Sequence, residues 1–320
     1  MARHRHTSPS RIPRCLAIGT VAALAGAFGI TQAAPWSRTD GDPVQTAASV
    51  TALPSPQATA PPADDTRTET AADLSADLSA EVEAAVREAV SGTGGNAAVA
   101  VLDLTTGAST SAGTDGAEDH TFDTASIVKV DILAALLLRA DDAGRSLTAQ
   151  ERRWAKAMIE NSDNAAANAL WDAIGGSQGL AKANSRLGLV ETVPGEGAYW
   201  GLTRTTPDDQ LRLLQAVFGE GSVLSEDART YLGDLMGSVA ADQDWGVSAA
   251  ADDPGSAQLK NGWLARSGTG LWVTNSIGRV EVAGHTLLLA VLCDGQRTQA
   301  TGIAVVEKLA VAASGPFTDE

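Results

Sequence analysis

Leu74, Leu78, Val82 and Val86 recur at every fourth position, a spacing that predicts an amphipathic helix closing near Ser91-Gly92. The pattern then changes. "NAAVAVLDL" is apolar almost without interruption and reads as a buried strand, followed by a Thr-Thr-Gly turn and a second strand near Ala108 to Ala112. From about Ala125 to Leu187 the spacing is helical, in "SIVKVDILAALLLRADDAG", "TAQERRWAKAMIE", "DNAAANALWDAIGG" and "SQGLAKANSRLG". A further helix is predicted at "TTPDDQLRLLQAVFG", with Thr206 as its cap and Pro207 in its first turn, and another through "SEDARTYLGDLMGSV". Strand patterns return in "AQLKNGWL", "LWVTNSIGRV" and "HTLLLAVLCDG", and "TGIAVVEKLAVAA" reads as a last helix. Strands at both ends with helices between them predict an α+β fold. An antiparallel sheet is assembled from the two ends of the domain, flanked by helices, beside an all-α lobe. No internal repeat interrupts this order.

The N-terminal region follows a different pattern. Arg3, Arg5, Arg11 and Arg14 precede the apolar run Leu16 to Ile30, which exits through "TQAAPW". A basic start, a short apolar core and a small-residue exit predict a signal peptide over residues 1–34. The core is short of the roughly 20 apolar residues of a bilayer span, so membrane association is expected only if the leader stays uncleaved. Cys15 lies before the apolar core, which is not the geometry of a lipidated cysteine, and the leader has no Arg-Arg pair. Residues 35–73 are mostly Pro, Ala, Thr, Ser and Asp, too poor in large apolar groups to offset the entropy of ordering, and are expected to be a disordered linker. Residues 74–317 form one domain's worth of chain.

Charge and composition narrow the function. The formal net charge of −16 becomes −20 without residues 1–34, which hold four arginines and no acid. A surface this acidic argues against nucleic-acid binding through a basic face. Beyond the leader only Cys293 remains, so no disulfide framework is available, though a domain of this size can do without one. Four histidines, two of them in the leader, do not supply a clustered zinc site. No metal or cofactor is expected, and a monomer is.

Three short stretches carry candidate chemistry. In "TASIVK", Ser126 and Lys129 are three residues apart at the head of an apolar helix and share a face. A serine hydroxyl is a weak nucleophile until something takes its proton, and a lysine desolvated among apolar side chains can become that acceptor. The helix N-terminus adds N–H groups that favour a developing anion. In "ENSDNAAAN", Asp163 reads as a helix cap, while Ser162 and Asn164 are placed to face a cleft, Ser162 to pass a proton and Asn164 to hold an amide. In "LKNGW", Lys260 lies on an edge-like strand, where it either discourages edge pairing or serves a site; Lys260-Asn261-Gly262 is the one Lys-x-Gly in the chain. "GGSQG" imitates a nucleophile elbow, but it follows a helix, and Ser177 reads as the next helix's N-cap. His120 and His285 have no evident partner for a triad.

Taken in order, Ser-x-x-Lys, Ser-Asp-Asn and Lys-x-Gly resemble the signature of class A β-lactamases and penicillin-binding proteins. The resemblance spans the domain, including "VAVLDLTTG", "SDNAAAN" with Asn168, and "RTTPDDQLRLL". It implies a five-stranded antiparallel sheet with an all-α lobe and a site between them. It further implies Ser126 as the acylated nucleophile and Lys129 as its proton acceptor. Ser162 and Asn164 would form the opposite wall, Lys260 would hold the substrate's carboxylate side and polarise Ser162, and Gly262 would let substrate approach the strand. The N–H groups of Ser126 and Trp263 would form an oxyanion hole.

Two departures qualify that resemblance. Asn261 stands where the motif has threonine, so an amide replaces the hydroxyl that meets a substrate carboxylate. "RSGTG" (Arg266-Ser267-Gly268) is a rival third motif that keeps a hydroxyl but replaces the lysine; "LKNGW" reads better as strand. The loop "VETVPGEGAYWGLTRTTP" lacks the Glu-x-x-Leu-Asn segment whose glutamate activates the deacylating water in class A enzymes. Glu191 and Glu196 are the available carboxylates, and Glu196 is the better placed candidate base. The expected function is an exported serine hydrolase acting on a β-lactam, with slow release. A penicillin-binding or D-Ala-D-Ala peptidase-like enzyme acting on a cell-wall peptide is the alternative, and a non-catalytic exported binding domain the second. Arg266 and Arg279 are further candidates for a carboxylate anchor.

Overall fold

The computed structural model describes residues 71–117 and 120–318; the predicted leader and the predicted linker up to residue 70 lie outside them. The first helix, α1, spans Ala71–Val90 and so takes in the last residues assigned to the linker. β1 (Ala97–Asp103) and β2 (Ser109–Gly113) follow as an antiparallel pair. A short β3 (Phe122–Asp123) precedes one 3-10 turn, Ala125–Ile127, which runs directly into α2 (Val128–Asp142). α3 (Ala149–Glu160), α4 (Asn164–Ile174) and α5 (Gly176–Leu187) complete the predicted helical stretch. α5 starts with Gly175 as its N-cap, so Ser177 lies inside its first turn and is not the cap. Two successive left-handed glycines, Gly175 and Gly176, end one helix and begin the next and displace the cap upstream of Ser177.

The remaining elements are β4 (Arg204–Thr205), α6 (Pro207–Phe218), α7 (Glu226–Met236), β5 (Gln258–Ala265), β6 (Trp272–Val282), β7 (His285–Gln296) and α8 (Gln299–Ser314). Thr206 caps α6 as predicted, its side chain accepting from Asp209 N, with Pro207 in the first turn. The main sheet has five antiparallel strands in the order β2-β1-β7-β6-β5, joining the two ends of the domain. A two-stranded ribbon of β3 and β4 was not legible in the hydrophobic pattern, since each strand has only two residues.

The unbroken apolar character of β1 and β7 has a direct cause. Both faces of the central strands are covered. Ala98, Ala100, Leu102, Leu288, Ala290 and Leu292 face the core shared with α2, α4, α6 and α7. Their neighbours Val99, Val101, Leu287, Leu289 and Val291 face α1 and α8. β5 lies at one sheet edge and meets the turn that carries Ser126, which sets the position of the site.

Because both faces of β7 are core, Leu288→Ala and Leu289→Ala are each expected to cost about 2–5 kcal/mol, measured by urea unfolding. A strand covered on one side would show that loss for only one of the two.

Candidate active site

The segment before Ser126 is held from several directions. β3 pairs with β4, and Asn275 of β6 donates to the carbonyls of Asp123 (2.9 Å) and Thr124 (3.0 Å). The Asp123 carboxylate receives Arg204 at 3.3 Å and Arg266 at 2.8 Å. Ala125 is left-handed, with φ of 47°, an unfavourable state for a residue bearing a Cβ that the surrounding contacts enforce. Gly262 faces the same turn so closely that a Cβ there would lie 2.7 Å from Ser126 N and 2.8 Å from Ile127 N. Glycine is therefore required where the strand edge meets the turn.

Lys129, in the first turn of α2, is completely buried. Its Nζ lies 2.9 Å from Ser126 Oγ, 2.7 Å from Ser162 O, 3.0 Å from Ser162 Oγ and 2.9 Å from Asn164 Oδ1. An ammonium has three protons for these four oxygens. A neutral amine has two, and its lone pair is then free to accept the Ser126 hydroxyl. Burial brings the Lys129 amine down to about 7, although the Asp163 charge pulls it upward. Asp163 is the cap of α4, accepting from Ala166 N at 2.6 Å. The indole of Trp200 lies over Nζ, 5.0 Å from the ring centroid.

Ser162 sits between α3 and α4 with φ of 53°. That left-handed turn allows both its carbonyl and its hydroxyl to face one amine. Lys260, also fully buried, donates to the same hydroxyl at 3.2 Å and to Asn261 O at 2.9 Å. With both Ser162 lone pairs accepting from amines, its O–H is left to donate. Burial first, then the charge of Lys129, brings Lys260 down to about 7. An edge lysine that wards off strand pairing would be in solvent; this one is not.

The structure thus brings Ser126, Lys129, Ser162, Asn164, Lys260 and Gly262 together. A cleft of about 530 Å³ opens above Ser126 and Asn164, with Tyr199 and Trp200 on one side and Trp263 and Arg266 on the other. Among the described residues that border it there is no carboxylate.

Three sequence assignments change. Asn261 is not offered to the cleft: its amide donates to Gln243 O at 3.0 Å and Trp245 O at 2.7 Å, on the strand face opposite Lys260. Strand alternation places residues 260 and 262 on one side and 261 on the other. Glu196 is exposed and does not border the cleft. Gly195 N is pinned to Thr203 Oγ1 and Gly197 O accepts from Trp171, so Glu196 is left on the outside of the loop. Glu191 instead accepts from Thr206 Oγ1 at 3.3 Å. His120 and His285 do have partners, Asp294 at 2.7 Å and Asp103 at 2.9 Å, but these pairs have no contact with Ser126 among the described residues.

The rival third motif forms the turn after β5, where Thr269 N and Gly270 N donate to Arg266 O; it borders the cleft without replacing Lys260. Arg279 pairs with Glu281 and Gln258 and does not border the cleft. Sequence reasoning missed Asn275, Ala125 and Trp200. An asparagine inside the apolar strand "WVTNSIG" was a visible signal for the first, whereas the other two depend on how distant segments meet.

Gly262→Ala is expected to push β5 off the Ser126 turn and, if Ser126 is the residue acylated, to lower the rate of that acylation more than about tenfold, with the fold retained by circular dichroism. An unchanged rate would show that the close approach is not needed. A second expectation follows from Lys260. The unfolded chain holds this proton up to about 10.4, the folded one only to about 7. Between these values the unfolded state binds more protons, so this group makes stability rise with pH. Lys260→Met is expected to remove part of that rise in urea unfolding at pH 7, 8 and 9.

Comparison with known proteins extends this geometry. A sequence profile described as the beta-lactamase enzyme family matches residues 80–152 and 142–315. LppW of Mycobacterium bovis and of Mycobacterium tuberculosis, named as a candidate lipoprotein, is 29% identical over 146 residues, 45% of this chain and 45% of LppW. The matched part is thus under half the length of these relatives. A class A beta-lactamase from Bacteroides cellulosilyticus superimposes with a TM-score of 0.64 at 16% identity, over 76% of this chain and 99% of the other. A beta lactamase from Burkholderia vietnamiensis gives 0.62 at 21% identity, over 74% and 97%. At such identities the likeness is one of fold, whereas the profile spans nearly the whole described domain: the chain belongs to the beta-lactamase enzyme family.

Proposed function

We propose that this protein is an exported serine hydrolase that forms an acyl-enzyme on Ser126 and releases it slowly. The observation that carries this reading is the buried Lys129 amine 2.9 Å from the Ser126 hydroxyl. Neutral Lys129 accepts the hydroxyl proton as Oγ attacks a cyclic or peptide amide carbonyl. The N–H groups of Ser126 and Trp263 stabilise the oxyanion. As the C–N bond breaks, Ser162 gives its proton to the leaving nitrogen and is resupplied by the amines of Lys129 and Lys260, which hold its oxygen at 3.0 and 3.2 Å. Asn164, already bound to Lys129 through Oδ1, offers its NH₂ to a substrate amide.

A β-lactam is the first substrate class. A cell-wall peptide is the second, favoured by the cleft's lack of a carboxylate to activate water among the described residues. A positioned base contributes roughly 10²–10⁴-fold, so its absence leaves a long-lived acyl-serine. A purely binding role is disfavoured by two fully buried lysines converging on one hydroxyl, a costly arrangement for a scaffold with no chemistry to perform. Export is supported by the leader pattern and by the name given to LppW. Among the described residues no helix is long and apolar enough to cross a membrane.

Incubation of the protein with a penicillin is expected to add the mass of the intact drug, and Ser126→Ala to abolish the adduct. Rapid turnover without an adduct would contradict slow release. Absence of any reaction with penicillins and with acyl-D-Ala-D-Ala peptides would remove the enzyme reading. Acylation requires Lys129 neutral, so its rate is expected to rise with pH around a midpoint near 7. Lys129→Arg, which stays charged, should lower it by about 10² or more.

A further inference from the structure

The loop that contributes no carboxylate to the cleft contributes an indole. Trp200 opens a short 3-10 turn, Trp200–Leu202, that packs on the Ala125–Ile127 turn; a Cβ on Gly201 would lie 3.8 Å from Ala125. Its Nε1 donates to Asn168 Oδ1 at 2.8 Å, and its ring lies over Lys129 Nζ at 5.0 Å. Asn164 and Asn168 are one turn apart on α4, so the same helix face touches the amine and holds the ring above it. We infer that Trp200 is a positioning residue: held by Asn168, its indole roofs Lys129 and keeps water from the amine. This rests on the reading of Ser126 and Lys129 as the reacting pair, but it makes a claim of its own about what controls the amine.

Two effects of the ring oppose each other. The face of an indole attracts an ammonium and would favour the charged form. Its bulk excludes water and disfavours that form. The charged groups that face Lys129 are the Asp163 carboxylate from the cap of α4 and the Lys260 amine from β5; Trp200 itself is neutral. Lys129 is fully buried and its amine lies well below the ordinary lysine range, with burial the largest cause. On this inference the exclusion of water outweighs the pull of the ring, with Trp200 a neutral group on the side that faces the cleft.

Only five lysines occur in the chain, so each can be followed by NMR in protein labelled at lysine side chains, with Lys129→Arg for assignment. The expected result in the full chain is a Lys129 midpoint that rises by about one pH unit or more in Trp200→Ala and by less in Trp200→Phe, which keeps a ring but loses its bond to Asn168. An unchanged or lowered midpoint in a Trp200→Ala protein with native circular dichroism overturns the inference. Should that variant fail to fold, Asn168→Ala frees the ring while keeping it, and the midpoint must again rise. The titration needs no substrate. A wild-type protein that forms no acyl-serine would remove the proposed function while leaving the role of Trp200 to be decided by the NMR midpoint alone.

Discussion

Burial of one amine organises the cleft. Lys129 Nζ lies among oxygens from three segments of the chain: the 3-10 turn before α2, the α3–α4 loop and the first residue of α4. An isolated ammonium taken out of water costs several kcal/mol, so these segments cannot separate without leaving it unpaired. The same requirement accounts for the backbone. Ser162 stays left-handed because two of its oxygens serve the amine, and Ala125 stays left-handed because Asn275 and Gly262 fix the turn beside it. Local strain is thus a consequence of satisfying the buried amine at Ser162 and of the strand contacts at Ala125.

The sheet makes the second half of the site by alternation. Lys260 and Gly262 share a face of β5, so the residue that brings an amine and the residue that permits contact with Ser126 come as a pair. Asn261 faces the opposite way and ties the strand to the 243–245 segment. Its difference from threonine is therefore felt in packing behind the strand. The Ser162 hydroxyl lies between both amines. The charge of Lys129 adds to burial in disfavouring protonation of Lys260, so the two amines do not titrate independently.

Much of this was legible in the sequence because two periodicities carry it. The every-fourth-residue spacing in α1 and the doubly buried runs of β1 and β7 fix where the layers lie, and the three short motifs mark the segments that must converge. What was not legible depends on cross-chain geometry. No spacing announces that Trp200 will cover Lys129, or that β3 and β4 will pair through two residues each. Asn261 was misread because motif comparison assigns a residue type to a role without asking which face of the strand it occupies. Glu196 was misread because a loop's hydrogen bonds, Gly195 to Thr203 and Trp171 to Gly197, decide which side chains face inward.

That loop also separates the two halves of an acyl-transfer cycle. Acylation needs one proton acceptor beside the hydroxyl, and Lys129 occupies that place. Deacylation needs an ordered water with its own acceptor, and the loop turns Glu196 outward while turning Trp200 inward. The loop that places a ring over the amine thus places no acceptor for a water beside Ser126 among the described residues. On the proposed reading, such a site would form the covalent intermediate faster than it hydrolyses it. That proposed imbalance would come from one loop beside Ser126, Lys129, Ser162, Asn164 and Lys260, which is why the order of the motifs alone could not have revealed it.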